Sequence, residues 1–137
     1  MKRRGQSLIE FALILPILLI IVVILADMGR AIAAHVALSN AAREGARYAA
    51  MHPEDIAGIR NRVILEYNNT SLSVTGMELL AENIVISFPE GAQTPGSLVR
   101  VSARCRFPLF LGSFYPAGIV DEAGTMLLQG MAEMVIM

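Results

Sequence analysis

The chain has little charge, a single cysteine and no tryptophan. Charged residues make up 17% of its 137 residues and hydrophobic residues 55%, whereas an ordinary soluble domain is about 25% charged and about 45–50% apolar. One cysteine, Cys105, excludes a disulfide bond within the chain. The formal net charge of −1 excludes the strongly basic surface that is typical of proteins that bind nucleic acid. An ordinary soluble domain does not account for this composition.

The apolar excess is concentrated near the N-terminus. Residues 11–26 read FALILPILLIIVVILA and carry no charge, and from position 8 only Glu10 interrupts the run. A helix needs about 20 residues, with a range of about 17–25, to cross the hydrocarbon core of a bilayer. The sequence therefore predicts a membrane-spanning helix over about 8–26. Lys2, Arg3 and Arg4 precede it, and because positive residues stay in the cytoplasm, the C-terminal body is expected outside.

A basic start followed by an apolar run allows three interpretations. The first is an uncut single-pass anchor that displays a ligand-binding head. The second is a secretory signal peptide cut near Ala33, where Ala31-Ile32-Ala33 fits the small-residue cleavage pattern, which would release a soluble binding module. The third is a prepilin leader of residues 1–5, cut between Gly5 and Gln6. The order Gly5, QSLI, Glu10 favours the third.

Glu10 gives the third interpretation a physical basis. An acid costs roughly 2.5–3.5 kcal/mol at the centre of a membrane and usually has a partner there. Cleavage after Gly5 would create such a partner, the α-amino group of Gln6, one helical turn away. Glu10 of the same chain or of a neighbour could pair with this amine and so set the axial register of an assembly. Pro16 lies inside the run and is expected to kink the helix, because it removes a backbone hydrogen bond.

The helical pattern continues beyond the apolar run to about residue 52, where Pro53 ends it. Small and apolar residues share one face with His52, and polar residues lie opposite at Asn40, Arg43, Glu44 and Arg47. Small residues permit close helix packing, which we expect here both with other subunits and with the chain's own C-terminal half. The packing residues predicted are Ala41, Ala42, Gly45 and Ala49.

The segment RGQSLIEFALILP with AAREGARYAA at 41–50 resembles the TadE-like proteins, which are pseudopilins or minor pilins of the tight-adherence (Tad) branch of type IV filament systems. The resemblance covers about residues 4–50, and AAREGAR is its most specific part. It implies cleavage by a prepilin peptidase and residence at the inner membrane or in a pilus. The partners implied are other pilin subunits, the peptidase, the membrane assembly platform and lipid.

The C-terminal residues 53–137 predict a small α+β head. A helix is expected to open at Pro53 with an apolar stripe of Ile56, Ile59, Val63, Ile64 and Tyr67. Alternation predicts strands in NIVISF, LVRVSARCRF and TMLLQGMAEMVIM, the second with Val99, Val101, Ala103, Cys105 and Phe107 on one face. PEGAQTPG joins the first two strands as a hairpin loop. Three antiparallel strands against the long helix complete the predicted α+β fold.

No residue pattern predicts catalysis, a metal or a cofactor. Cys105 lies on an apolar strand face, where cysteine is usually structural. His35 and His52 have no partners at ligand spacing. Asp121 and Glu122 fall far short of the 6–8 oxygen ligands that calcium takes, and calcium binding there is left open. The sequence therefore predicts a structural subunit rather than an enzyme.

Overall fold

The computed structural model describes residues 3–70, 79–91, 93–116 and 118–137. The elements, in chain order, are α1 (Arg3–Met51), α2 (Ile56–Asn69), β1 (Ile84–Ser87), β2 (Leu98–Pro108) and β3 (Thr125–Val135). The predicted α+β fold, a long N-terminal helix with a small antiparallel sheet, is confirmed. Met1, Lys2, Ala92 of the hairpin loop and Ala117 of the loop before β3 lie outside the described residues.

Helix α1 is one uninterrupted element of 49 residues that contains Pro16. It ends at Met51, two residues before Pro53, as predicted from the bias of the residue before a proline against helical geometry. Its two halves differ in surroundings. The apolar N-terminal half is exposed along most of its surface, and burial becomes regular only from Asp27 onward. Helix α1 is therefore both a free stem and a central element of the head.

Helix α2 begins at Ile56, three residues later than predicted. The difference arises because Asp55 acts as the N-cap, its carboxylate accepting a hydrogen bond from the backbone N–H of Gly58 at 2.9 Å. Pro53 and Glu54 belong to the turn before that cap. The predicted apolar stripe is confirmed, since Ile59, Val63 and Tyr67 are buried and Ile56 and Ile64 pack against the same core.

The three strands form one antiparallel sheet in the order β1-β2-β3. In β2 the predicted inward residues Val99, Val101, Ala103, Cys105 and Phe107 are all buried. Arg100, Arg104 and Arg106 point to the exposed face, where Arg100 pairs with Glu133 on the neighbouring strand. Ser102 departs from the alternation: it is also buried, and its hydroxyl donates to the carbonyl of Val85 at 3.4 Å.

The core lies where the C-terminal half of α1 packs against both α2 and the sheet. The buried side of α1 is almost entirely alanine, which keeps the helix thin enough to contact two layers. At the far end of the head, the backbone N–H of Met137 donates to the carbonyl of Ala50 at 3.0 Å. This places the end of β3 level with the last turn of α1.

Cys105 tests the register of β2. Its side chain is 5% exposed, and burial raises the pKa of the thiol, so both access and thiolate population are low. We expect a bulky, water-soluble thiol reagent to react at least about tenfold more slowly with the folded protein than with the denatured protein. The control is Cys105→Ser combined with Gln129→Cys, which places the thiol on the exposed face of the same sheet. Equal labelling rates at the two positions would contradict the register.

Candidate functional site

The predicted cleavage site lies in the first turns of α1. Arg3, Arg4, Gly5 and Gln6 are helical, and Lys2 lies outside the described residues. Glu10 is on the exposed surface, four residues after Gln6. Four residues of an α-helix correspond to about 6 Å along its axis and return to the same face. A new α-amino group on Gln6 would therefore be within reach of Glu10.

The segment after Gly5 is apolar and uncovered. Its most apolar 18-residue window has a mean hydropathy of 3.2, and none of that window is buried by the rest of the chain. A buried helix of a soluble protein would have this surface covered by its own core. Among the described residues, this helix is long and apolar enough to cross a membrane, and the exposed surface needs lipid or other apolar segments around it.

The predicted packing residues Ala41, Ala42, Gly45 and Ala49 all lie in the head core and are fully buried there. A Cβ atom at Gly45 would collide with a methyl group of Val63 on α2. Glycine at this position therefore lets α2 cross α1 closely. This face was expected to pack both with other subunits and with the chain's own C-terminal half. In the structure, these four residues pack within the chain's own head.

Glu44 joins the two helices. Its carboxylate accepts two hydrogen bonds from the guanidinium of Arg47, at 2.8 and 2.9 Å, and one from Arg62 of α2 at 3.0 Å. The hydrogen bond from Arg47 is the largest cause that lowers the pKa of Glu44 to about 2. On this polar face Arg43 is exposed, and Glu44 is half-buried between the helices. Its pairing is retained above the ordinary carboxyl pKa and lost as pH falls through about 2.

An acid at the end of the apolar segment, Asp27, is buried, and it was not among the site residues predicted from the sequence. Asp27 is 0% exposed, and one carboxylate oxygen accepts a hydrogen bond from Arg30 at 3.0 Å. The other oxygen accepts from the backbone N–H groups of Phe110, at 2.8 Å, and Leu111, at 3.3 Å. The i,i+3 spacing of Asp27 and Arg30 was a signal for the ion pair. Nothing local indicated the loop more than eighty residues away.

Asp121 closes the turn before β3. Asp121 accepts hydrogen bonds from the backbone N–H and the hydroxyl of Thr125 and from the N–H of Ala123, and the hydroxyl of Thr125 is the largest cause that lowers its pKa. These bonds close the turn before β3. No cluster of three or more His, Cys, Asp and Glu side chains suited to a metal occurs in the part of the chain that the structure describes.

Comparison with known proteins identifies the N-terminal segment. The family model of TadE-like proteins matches residues 5–47, which include Gly5, Glu10, Pro16 and the AAREGAR motif. No significant match was found among curated proteins or solved structures. The match confirms the resemblance and ends within the buried half of α1, so that α2 and the sheet lie outside it.

Proposed function

From the premise that residues 5–47 form a TadE-like segment, we propose that the chain is a pilin-like structural subunit of a Tad-type filament. In this role it is stored in the membrane, cut after Gly5 by a prepilin peptidase, and then helps to initiate or cap a pilus or secretion filament. TadE-like pilins are structural proteins rather than enzymes. Interaction with other pilus components follows from the family in general terms.

The observation that carries the proposal is the uncovered apolar half of α1 directly after Gly5. A stem of this kind is stable in a bilayer and, after extraction, among the stems of other subunits, because both surroundings are apolar. The head leaves most of the stem uncovered, since its core is built on the C-terminal half of α1. Lys2, Arg3 and Arg4 favour an orientation with the head outside the cytoplasm.

Release near Ala33 by a signal peptidase fits the fold less well. Ala31 and Ala34 are buried in the head core, and a cut there would divide α1 within its packed half. It would also remove Asp27 and Arg30, which hold the loop after β2. An uncut anchor with a ligand-binding head is compatible with the same stem. It differs from the proposed subunit in that the chain is not cut after Gly5.

Processing at Gly5–Gln6 is the direct test. We expect the intact mass of the mature protein, isolated from cells with the cognate peptidase, to equal that of the chain without Met1–Gly5. Gly5→Val should leave the precursor uncut, because a branched side chain would replace a residue that has no Cβ at the scissile position. Ser7→Val is a matched control two residues beyond the bond, and it should be processed normally. Loss of residues through about Ala33, or no loss at all from the wild-type chain, would refute the proposal in favour of the secreted module or the uncut anchor.

Glu10→Leu tests the proposed pairing with the new N-terminus. We expect membrane insertion to persist or improve, because the substitution removes a charge from an apolar segment, and cleavage to persist because Gly5 is intact. Copurification with partner pilins should fall by at least about tenfold, which corresponds to roughly 1.4 kcal/mol. Leu13→Ile, one turn further along the stem, provides a control without a charge change. Wild-type assembly of Glu10→Leu would contradict the pairing but not the cleavage.

A further inference from the structure

The loop between β2 and β3 lies against the outer end of the apolar stem. Asp27 binds the backbone of Phe110 and Leu111, and the hydroxyl of Tyr115 donates to the carbonyl of Ile24 at 3.4 Å. These bonds fix the position of residues 109–116, the stem loop, relative to α1. The loop is thus fixed to the part of the helix where the predicted membrane span ends.

The contacts follow one direction along the helix. The guanidinium of Arg30 lies 5.0 Å from the ring centre of Phe107 and 4.3 Å from that of Phe110. The next contacts are made by Asp27 with residues 110 and 111, and the last by Ile24 with Tyr115. The chain therefore approaches the N-terminal end of α1 as it leaves β2. This is the direction of the membrane.

The length of the span fixes the depth of this contact. Residues 8–26 extend about 28 Å as a helix, close to the hydrocarbon thickness of about 30 Å. A membrane span that ended at Ile20 would be only about 20 Å long. It would leave the apolar residues between Ile20 and Asp27 in water. Ile24 therefore lies within about one helical turn of the outer boundary of the hydrocarbon core.

The surface that the stem loop presents at this depth is apolar. Phe110 is 68% exposed and Phe114 64% exposed, and residues 107–120 carry no charged side chain. Tyr115 combines an aromatic ring with a hydroxyl that is already bonded to the helix. Aromatic side chains of this kind are enriched at membrane–water interfaces, where an apolar ring and a polar tip are both satisfied.

We propose that the stem loop is a second membrane contact, in which Phe110 and Phe114 enter the interfacial lipid of the leaflet from which the head emerges. The proposal rests on the placement of residues 8–26 in the bilayer under the proposed function. The loop holds the head close to the membrane and limits its tilt while the subunit is stored there. Extraction into a filament then requires these rings to leave the lipid together with the stem.

Tryptophan fluorescence of the full chain tests this contact, because the natural chain has no tryptophan. Phe114→Trp and, separately, Phe110→Trp each place one fluorophore in the loop. Val135→Trp is the matched control, because Val135 is a comparably exposed apolar residue near the far end of the head, level with Ala50. Leu18→Trp reports insertion of the stem. Each variant is reconstituted in vesicles of phosphatidylethanolamine and phosphatidylglycerol, with and without dibrominated phosphatidylcholine, and titrated with iodide.

We expect bromolipid to quench both loop variants at least about twofold, and iodide to quench them at least about threefold less than Val135→Trp, as for interfacial aromatic residues. Leu18→Trp should be quenched by bromolipid in all cases. Loop variants open to iodide and unaffected by bromolipid, with Leu18→Trp quenched, would overturn the loop contact and leave the stem placement intact. Protection from both quenchers would also overturn it, since protein rather than lipid would then cover the loop. Absence of quenching in Leu18→Trp would refute the membrane placement itself.

Discussion

Replacing Asp27 by alanine is expected to destabilise the head by about 3 kcal/mol, at the lower end of the range for breaking a buried ion pair. The substitution leaves the backbone N–H groups of Phe110 and Leu111 without their acceptor. It also removes the partner of Arg30, whose side chain is partly exposed and can recover some hydration. The loss of these bonds should free the stem loop from α1 before the rest of the head unfolds.

The measurement is chemical unfolding of the full chain in detergent micelles, combined with limited proteolysis at residues 109–116. Glu122→Ala removes the same charge from an exposed position in the loop before β3, and we expect it to change the free energy of unfolding by less than about 0.5 kcal/mol. Equal stability and equal loop protection in Asp27→Ala and Glu122→Ala would show that Asp27 does not anchor the loop.

Replacing Gly130 by alanine is expected to cost about 3 kcal/mol through overpacking. A Cβ atom at this position in β3 would lie 2.5 Å from the carbonyl carbon and oxygen of Leu38 and 2.6 Å from the backbone nitrogen of Ser39. These are backbone atoms inside a helix, which cannot move aside as the end of a side chain can. Relief would require β3 to move away from α1, and the packing of the buried alanines of α1 against the sheet would loosen.

Gly29→Ala is the matched control for this substitution. Gly29 lies in the same helix that Gly130 approaches, and a Cβ atom there would meet nothing within 4 Å. Because alanine favours the helix over glycine by about 1 kcal/mol, Gly29→Ala should stabilise the chain slightly. The two variants should thus shift the free energy of unfolding in opposite directions, as measured by denaturant titration. A stabilising effect of Gly130→Ala would contradict the close approach of β3 to α1.

Strand faces and helix ends that depend on neighbouring residues could be predicted from the sequence. The sides of β2 could be read from its alternation because successive side chains of a strand point to opposite faces. The end of α1 followed from Pro53, whose effect acts on its immediate neighbour. The start of α2 was misplaced because the sequence PED permits a first turn at Pro53 as well as a cap at Asp55, and only the backbone conformation decided for the cap.

The residues of the candidate site also fall into those that local spacing revealed and those whose partners lie far away in the chain. Gly5 and Glu10 were identified because their spacing is local and falls within the matched family segment, and their roles stay predictions. Glu44 was placed on the polar side of α1, but helical periodicity does not reveal that Arg62 of another helix approaches it. Asp27 was missed for the same reason, since the donors that it binds lie in a distant loop.

Local sequence patterns were enough to predict an apolar stem, a helix that continues beyond it, three strands and the inward face of β2, because each depends on neighbours within a few residues. Three features became visible in the folded chain: Asp27 is buried, β3 needs a glycine where it meets Leu38, and the stem loop lies against the outer end of the stem. These features depend on contacts between segments far apart in the chain, and such contacts are set by the packing of α1 against the sheet. Burial and close approach are properties of two surfaces in contact, whereas the periodicity of a segment describes only one of them.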